Sequence, residues 1–136
     1  MLKINAYINF KDNKCSEAMT FYHGLLGGEL SLMPVKDSPM KDMFPAEAQQ
    51  GILHADLTGS DFSLLATDMP DATIDAQIGA VSLTLTCANK AEVQQKFDKL
   101  AEGGKVVHPI MTFFAGTMGN VVDKFGIRWG VFTEEK

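Results

Sequence analysis

Several things are scarce in this chain, and each scarcity excludes a class of function. No apolar run approaches the roughly 20 residues that a bilayer-spanning helix needs, so no membrane partner is expected. The opening MLKINAYINF alternates like a strand and lacks the apolar block and small-residue cleavage site of a signal peptide. Cysteine is limited to Cys15 and Cys87, with no CxxC and no framework spacing; a cytoplasmic setting is the default, with both thiols as packing residues. Basic clusters are missing too. Lys3, Lys11 and Lys14 are interleaved with Asp12 and Glu17, and the net charge of −5 argues against nucleic acid as a partner. There is no GxSxG elbow and no cysteine beside a signalled base, so no nucleophile constellation is visible.

What is present is an ordinary globular composition, 46% hydrophobic and 21% charged, in 136 residues that fit one domain, 1–136. Within it lies a repeat. NKCSEAMTFYHGLLGGEL from Asn13 and NKAEVQQKFDKLAEGGKV from Asn89 align without gaps at an offset of 76, with Asn, Lys, Phe and a Gly-Gly pair identical. Both segments predict helices. Asn89 is suited to cap the second, with Glu92 three residues on. Val93, Phe97, Leu100 and Ala101 form its buried stripe, as Ala18, Phe21, Tyr22 and Leu25 do in the first. Each ends at Gly-Gly, the left-handed C-terminal cap. Strand-like segments flank both, so each half reads β-α-β-β-β, module one at about 1–70 and module two at about 78–134. The segment 36–50, KDSPMKDMFPAEAQQ, is expected as a long loop, either a lid or a disordered span.

The strands alternate, and their second faces are polar. In the first, Leu2, Ile4, Ala6, Ile8 and Phe10 oppose Lys3, Asn5, Tyr7 and Asn9; in the fifth, Val81, Leu83, Leu85 and Cys87 oppose Ser82, Thr84 and Thr86. The apolar sets are expected to pack under the helices. The polar sets are mostly small or uncharged, which suits a wet ligand cavity as well as a solvated sheet face. The offset of 76 swaps the two faces between these strands, so the strand-to-helix junctions are expected to differ by one residue.

His54 leads the candidates, because alternation in GILHADLTG sets it on one face with Asp56, which would orient it or raise its basicity. The alternative is a surface or internally satisfied histidine. His108 has no partner signalled by sequence; His23, late in its helix, fits the C-terminal dipole. Tyr7 among Asn5 and Asn9 offers a phenol, or packs with a polar tip. Arg128, in phase with Gly130, suits an anionic ligand, or is an exposed edge arginine. Trp129, on the opposite phase, reads as core. Met33, Met40, Met43 and Met69 suit a pliable lid over one half; Met111, Phe113 and Phe114 do so for the other half, or form a dimer contact.

The segments YINF at 7–10, SEAMTFYHGLLGGEL at 16–30, LHADL at 53–57, AEGGKV at 101–106 and TFFAGTMGNVVDKFGIRW at 112–129 resemble the PhnB-like (3-demethylubiquinone-9 3-methyltransferase-like) branch of the vicinal oxygen chelate superfamily, which includes glyoxalase I, extradiol dioxygenases and bleomycin-resistance proteins. The resemblance runs almost end to end. One departure is Phe113-Phe114, where the family usually has Phe-Trp, a change that bears on pocket shape. The resemblance implies an α+β fold of two β-α-β-β-β modules forming a cup, and often a homodimer. It also implies one divalent ion held from the first, fourth, fifth and eighth strands, at positions nearest to Asn5, Leu64, Ser82 and Gly130. None of these is a His or a carboxylate, the donors such ions require, so no cofactor is expected, with a divalent metal left open. Methyl transfer is not expected either, because GLLGG and EGGK read as helix caps rather than a donor-binding turn.

The expectation is therefore a metal-free binding protein for a small organic molecule, with ligand contacts at Asn5, Tyr7, Asn9, His54, Asp56, Ser82, Thr84 and Arg128. The rival is a lyase, isomerase or dioxygenase with a non-standard metal site, or a metal-free acid/base catalyst using His54. A third class is a homodimer whose polar faces form the interface.

Overall fold

The computed structural model describes residues 3–68 and 81–136, so Leu2 and Met69 lie outside the described residues. The chain divides into two compact units, Met1–Asp75 and Ala76–Lys136.

The first unit runs β1 (Ala6–Asn9), α1 (Cys15–Leu26), β2 (Glu29–Pro34), β3 (Ile52–Thr58) and β4 (Ser63–Thr67). Its sheet has the order β1-β4-β3-β2, with β1 parallel to β4 and the other pairs antiparallel. The second repeats this topology with β5 (Leu83–Thr86), α2 (Lys90–Ala101), β6 (Lys105–Phe113), β7 (Gly116–Val122) and β8 (Arg128–Thr133), ordered β5-β8-β7-β6 with β5 parallel to β8. The α+β fold of two β-α-β-β-β modules is therefore as expected.

In each unit one sheet face carries the helix. Ala18, Met19, Tyr22 and Leu25 of α1 are buried together with Ala55, Leu57, Leu64 and Ala66. Val93, Phe97 and Leu100 of α2 are buried with Val121, Trp129 and Val131. Gly119 belongs to this face: a Cβ there would sit 2.5 Å from the Phe97 ring, so the missing side chain lets the ring lie on the strand. Ile4 and Val81, expected under the helices, are instead exposed, because β1 and β5 begin only at Ala6 and Leu83 and both run along sheet edges.

The repeat is real, but its register differs from the gapless one. α2 starts and ends 75 positions after α1, which pairs Ala18 with Val93, Tyr22 with Phe97 and Leu25 with Leu100, all buried. Phe21, identical to Phe97 at the offset of 76, is only half-buried. An odd offset keeps both apolar faces in phase, so the face swap disappears. The compensating residue is Glu102, between α2 and its glycine pair, and not a residue before the helix. The strand-to-helix connections are Phe10 to Lys14 and Cys87 to Asn89; they differ by an even number of residues, which leaves the strand phase intact. In the longer one, Asp12 and Asn13 take positive φ, 58° and 56°, a conformation that Asp and Asn tolerate.

The segment 36–50 is an ordered string of three short 3-10 turns, at Val35–Asp37, Lys41–Met43 and Ala46–Ala48, rather than an irregular loop. Its base is closed by Val35 N–H donating to Gly51 O at 2.9 Å and Lys36 N–H to Gln49 O at 3.1 Å. The Gln49 amide donates to the carbonyls of Lys41 and Phe44, and Val35 and Ser38 are buried. Met40 and Met43 remain exposed on it. Among the described residues no helix is long and apolar enough to cross a membrane.

Candidate functional site

Strand pairing sets out the second face of the first sheet row by row, since residues paired across strands point the same way. Tyr7 pairs with Leu65, Leu65 with Asp56, and Asp56 with Ser31. The next row carries Asn9 with Thr67, and His54 with Met33. The row on the other side holds Ser63, Thr58 and Glu29, and Asn5 precedes β1 in the same phase. The face is thus lined by amides, hydroxyls, a phenol, an imidazole, a thioether, the carboxylates of Asp56 and Glu29 and the apolar Leu65, while α1 packs on the opposite face.

His54 is exposed on this face, its ring centroid 6.2 Å from that of Tyr7 with the planes tilted by 45°. Asp56 shares the face but not the histidine. Its Oδ1 accepts from Thr58 Oγ1–H at 2.6 Å. With the Asp56 carboxylate turned to Thr58, Tyr7 is the neighbour whose ring borders His54. The expected His54–Asp56 couple is replaced by a His54–Tyr7 contact.

In the second sheet, Thr84 pairs with Gly130, Gly130 with Asn120, and Asn120 with His108. The rows on either side hold Thr86, Phe132, Met118 and Met111, and Arg128, Val122 and Lys105. Gly130 makes room there: a Cβ would lie 2.7 Å from Met118 Cε, 3.2 Å from Asn120 Nδ2 and 3.6 Å from Thr84 Oγ1. His108 Nδ1 lies 3.3 Å from Asn120 Oδ1. Arg128 is half-exposed and sits on β8, an interior strand of the sheet rather than an edge. Ser82 is exposed and precedes β5. Phe113 stacks edge-on with Phe114 at 5.4 Å and lies 6.3 Å from Phe132; Met111 and Phe114 are exposed.

Other polar candidates have structural work instead. Trp129 is buried, as expected of core, and its Nε1–H donates to Asp123 Oδ2 at 2.9 Å. Asp123 Oδ1 accepts from the N–H groups of Phe125 and Ile127, closing the β7–β8 turn. Asp68 accepts from Cys15 N–H at 2.8 Å and Ile52 N–H at 2.9 Å, tying the start of α1 to β3. His23, exposed in the last turn of α1, lies 3.1 Å from Gly28 O through Nε2. Asn89 Oδ1 accepts from Glu92 N–H at 2.8 Å, and Glu92 returns a bond to the N–H of Ala88. Burial, and secondarily the Asp68 carboxylate, pushes the Cys15 thiol up to about 12; burial, then Glu92, pushes Cys87 to about 11.

The metal positions need one correction. Leu64 pairs with Ala6 and Leu57 and is buried on the helix side, so the β4 residue on the polar face is Leu65. The positions are then Asn5 and Leu65 in the first unit and Ser82 and Gly130 in the second; none carries the imidazole, carboxylate or thiolate that a first-row divalent ion requires. Among the described residues no three His, Cys, Asp or Glu side chains converge.

Alternation found Tyr7, Asn9, His54, Thr84 and Arg128, all on polar faces. It missed Asn120 and Met118, because GTMGNVV mixes glycine and polar residues on both phases. Their strand phase was the signal: Thr117, Gly119 and Val121 are buried, while Met118, Asn120 and Val122 are half-exposed.

A family model described as 3-demethylubiquinone-9 3-methyltransferase matches residues 2–132. Protein YjdN of Escherichia coli strain K12 is 31% identical over 140 residues, covering 94% of this chain and 92% of YjdN. The crystal structure of protein PA1353 from Pseudomonas aeruginosa is 33% identical, with a TM-score of 0.81 over 98% of this chain and 100% of that one. At the level of fold, a glyoxalase-related enzyme from Fulvimarina pelagi aligns with a TM-score of 0.62 at 17% identity, over 98% of this chain and 88% of that chain.

Proposed function

We propose that this chain, which belongs to the PhnB-like, 3-demethylubiquinone-9 3-methyltransferase-like family within the glyoxalase/bleomycin resistance/dioxygenase superfamily, binds a small organic molecule non-covalently and without a metal. The observation that carries this reading is the polar second face of each sheet. Both combine uncharged hydrogen-bonding side chains with aromatic and sulfur neighbours and a few charged groups, Asp56 and Glu29 on the first and Arg128 and Lys105 on the second, the mixture that orients a ligand while burying its apolar part. Contacts are assigned to Asn5, Tyr7, Asn9, His54 and Asp56 in the first unit, and to Ser82, Thr84 and Arg128 in the second. His54 acts as a hydrogen-bonding group whose ring leans on Tyr7. Asp56 is engaged by Thr58, which removes the orienting carboxylate that general-base catalysis by His54 would draw on.

The family description names a methyltransferase, and that activity is left out of the proposal. The glycine pairs that a nucleotide-like donor would require at a strand-to-helix turn stand at helix C-terminal ends here.

A thermal-melt screen against a metabolite library tests the reading. A bound metabolite raises the melting temperature and is recovered unchanged, and His54→Ala weakens its binding about tenfold, the loss of one good hydrogen bond. Turnover of that metabolite, abolished by His54→Ala, would replace binding by acid/base catalysis. An empty screen on a folded protein would count against a ligand altogether.

A further inference from the structure

Unused donors of the second sheet converge on Gly130 of β8. A Cβ built there would lie 3.2 Å from Asn120 Nδ2 and 3.6 Å from Thr84 Oγ1, which come from the neighbouring strands β7 and β5. Asn120 Oδ1 lies 3.3 Å from His108 Nδ1; an amide oxygen only accepts, so the imidazole donates and the amide NH2 is left over Gly130. Among the described residues neither Asn120 Nδ2 nor Thr84 Oγ1 has a hydrogen-bond partner. Met118 Cε, 2.7 Å from the same point, ends a flexible thioether arm that can swing aside.

The charge beside these donors has one sign. Arg128 is the preceding residue in phase on β8, about 7 Å along the strand and within reach of a long side chain. Lys105 stands in the same row, two strands over. The three paired rows of this face hold no Asp or Glu, although the chain carries a net charge of −5. Among the described residues neither Arg128 nor Lys105 has an ion-pair partner. In the other direction from Gly130 the face turns apolar. Met111 pairs with Met118 and Met118 with Phe132, and the Phe113 ring lies 6.3 Å from that of Phe132.

Resting on the small-molecule reading above, we infer that this face takes an aryl-substituted organic carboxylate. Its two carboxylate oxygens accept from Asn120 Nδ2–H and Thr84 Oγ1–H, and the glycine between those donors lets the group approach the strand. Arg128 supplies the compensating charge. The aromatic ring lies one row on, about 7 Å away, against Met111, Met118 and Phe132, where thioethers and a ring favour an aromatic partner. Two neutral donors with one guanidinium beside them suit a monoanion. Arg128 sets the preference for an acid, and Gly130 keeps the donors accessible.

Calorimetric titration of the full chain tests this with phenylpropanoate, the isosteric phenylpropanamide and the saturated cyclohexylpropanoate. The acid binds about tenfold more tightly than the amide, the difference made by a charge-assisted contact, and more tightly than the saturated analogue. Arg128→Gln, at a half-exposed side chain, removes the preference for acid over amide. Gly130→Ala weakens the acid about tenfold, because the methyl fills the space between the two donors. Its closest contact is the flexible end of Met118 and its φ is not positive, so the free variant melts close to the parent. Equal binding of the acid and either analogue, or no binding of any probe, overturns the inference. So does a preference for the acid that survives Arg128→Gln. A metabolite from the melt screen whose affinity ignores both variants also overturns it, while leaving the binding proposal standing.

Discussion

Burial raises the Cys15 thiol to about 12 and the Cys87 thiol to about 11, from 9.0 for an ordinary thiol. Both causes favour the protonated form: loss of solvent around a would-be thiolate, and a carboxylate close by, Asp68 for Cys15 and Glu92 for Cys87. The sign follows by linkage. The folded chain holds these protons where the unfolded chain releases them, so the stabilisation is complete below pH 9.0 and is lost as pH climbs towards 11 and 12. Melting temperatures are expected to fall above about pH 9, and less steeply for Cys15→Ala than for the parent once each is referred to its own neutral-pH value. Iodoacetamide at about pH 8 is expected to label neither cysteine in the folded chain and both in urea. Rapid labelling of the folded chain would mean that the thiols are reachable. At this scale the sequence carried the facing of the strand residues. Period-two alternation identifies Tyr7, Asn9, His54 and Arg128 as second-face residues, because the strand itself enforces it. It does not carry side-chain pairing, and so Asp56 goes to Thr58 and His108 to Asn120 without any sign in the sequence.

The two Gly-Gly pairs show how one motif serves two purposes in an element. Gly27 follows α1 with φ of +76° and open space where a Cβ would be. Gly28, with φ of +85°, has Thr58 O 2.6 Å from that position. Gly104 repeats the close approach after α2, with Val122 O at 2.3 Å. Thr58 and Val122 end β3 and β7, and each pairs with the first residue of the strand that follows its glycines. The first glycine therefore turns the chain out of the helix, and the second lets the new strand start against its neighbour. Gly27→Ala is expected to cost about 2 kcal/mol, because φ of 76° with ψ of −154° is a backbone region that essentially only glycine enters. Gly28→Ala, where a backbone clash adds to a positive φ, and Gly104→Ala, where the clash acts alone, are each expected to cost roughly 3 kcal/mol. Urea midpoints at unchanged slope would measure both, and equal costs for Gly27 and Gly28 would refute the division of labour. Helix existence, the Asn89 cap and the succession of elements along the chain were legible because periodicity and capping chemistry are local; the glycine cap expected for α2 is instead Glu102, with φ of −60°. The register of the repeat was not legible. A single residue, Glu102, shifts the glycine pairs out of step with the helices, and chance identity at Phe21 and Phe97 hides it.

At the scale of the whole molecule, the chain shares the fold of glyoxalase-related structures, while the residues at its expected metal positions are poor donors for a divalent ion. The duplicated topology depends on features each half satisfies by itself: one apolar sheet face, one amphipathic helix, one buried carboxylate near a strand end, Asp68 in the first and Asp123 in the second. None of these constrains the opposite face, so its composition is free to drift from ligating to hydrogen-bonding residues without loss of fold. Asn5 and Leu65 in the first unit offer an amide, and Ser82 and Gly130 in the second a hydroxyl, whereas a divalent ion wants imidazole or carboxylate. His54 brings one imidazole, with Asp56 held by Thr58, and one ligand makes no site. A thermal-melt series decides the matter, run with EDTA and then with Zn²⁺, Ni²⁺, Mn²⁺ and anaerobic Fe²⁺ restored. A native-state site filled at about 100 times its dissociation constant would add about 2.7 kcal/mol, a rise of a few degrees for a domain near this size. The expected outcome is a flat series, in the parent and in His54→Ala alike. A rise selective for one ion and lost in His54→Ala would show that His54 recruits donors from elsewhere, and would move the chain from binding to metal-dependent catalysis.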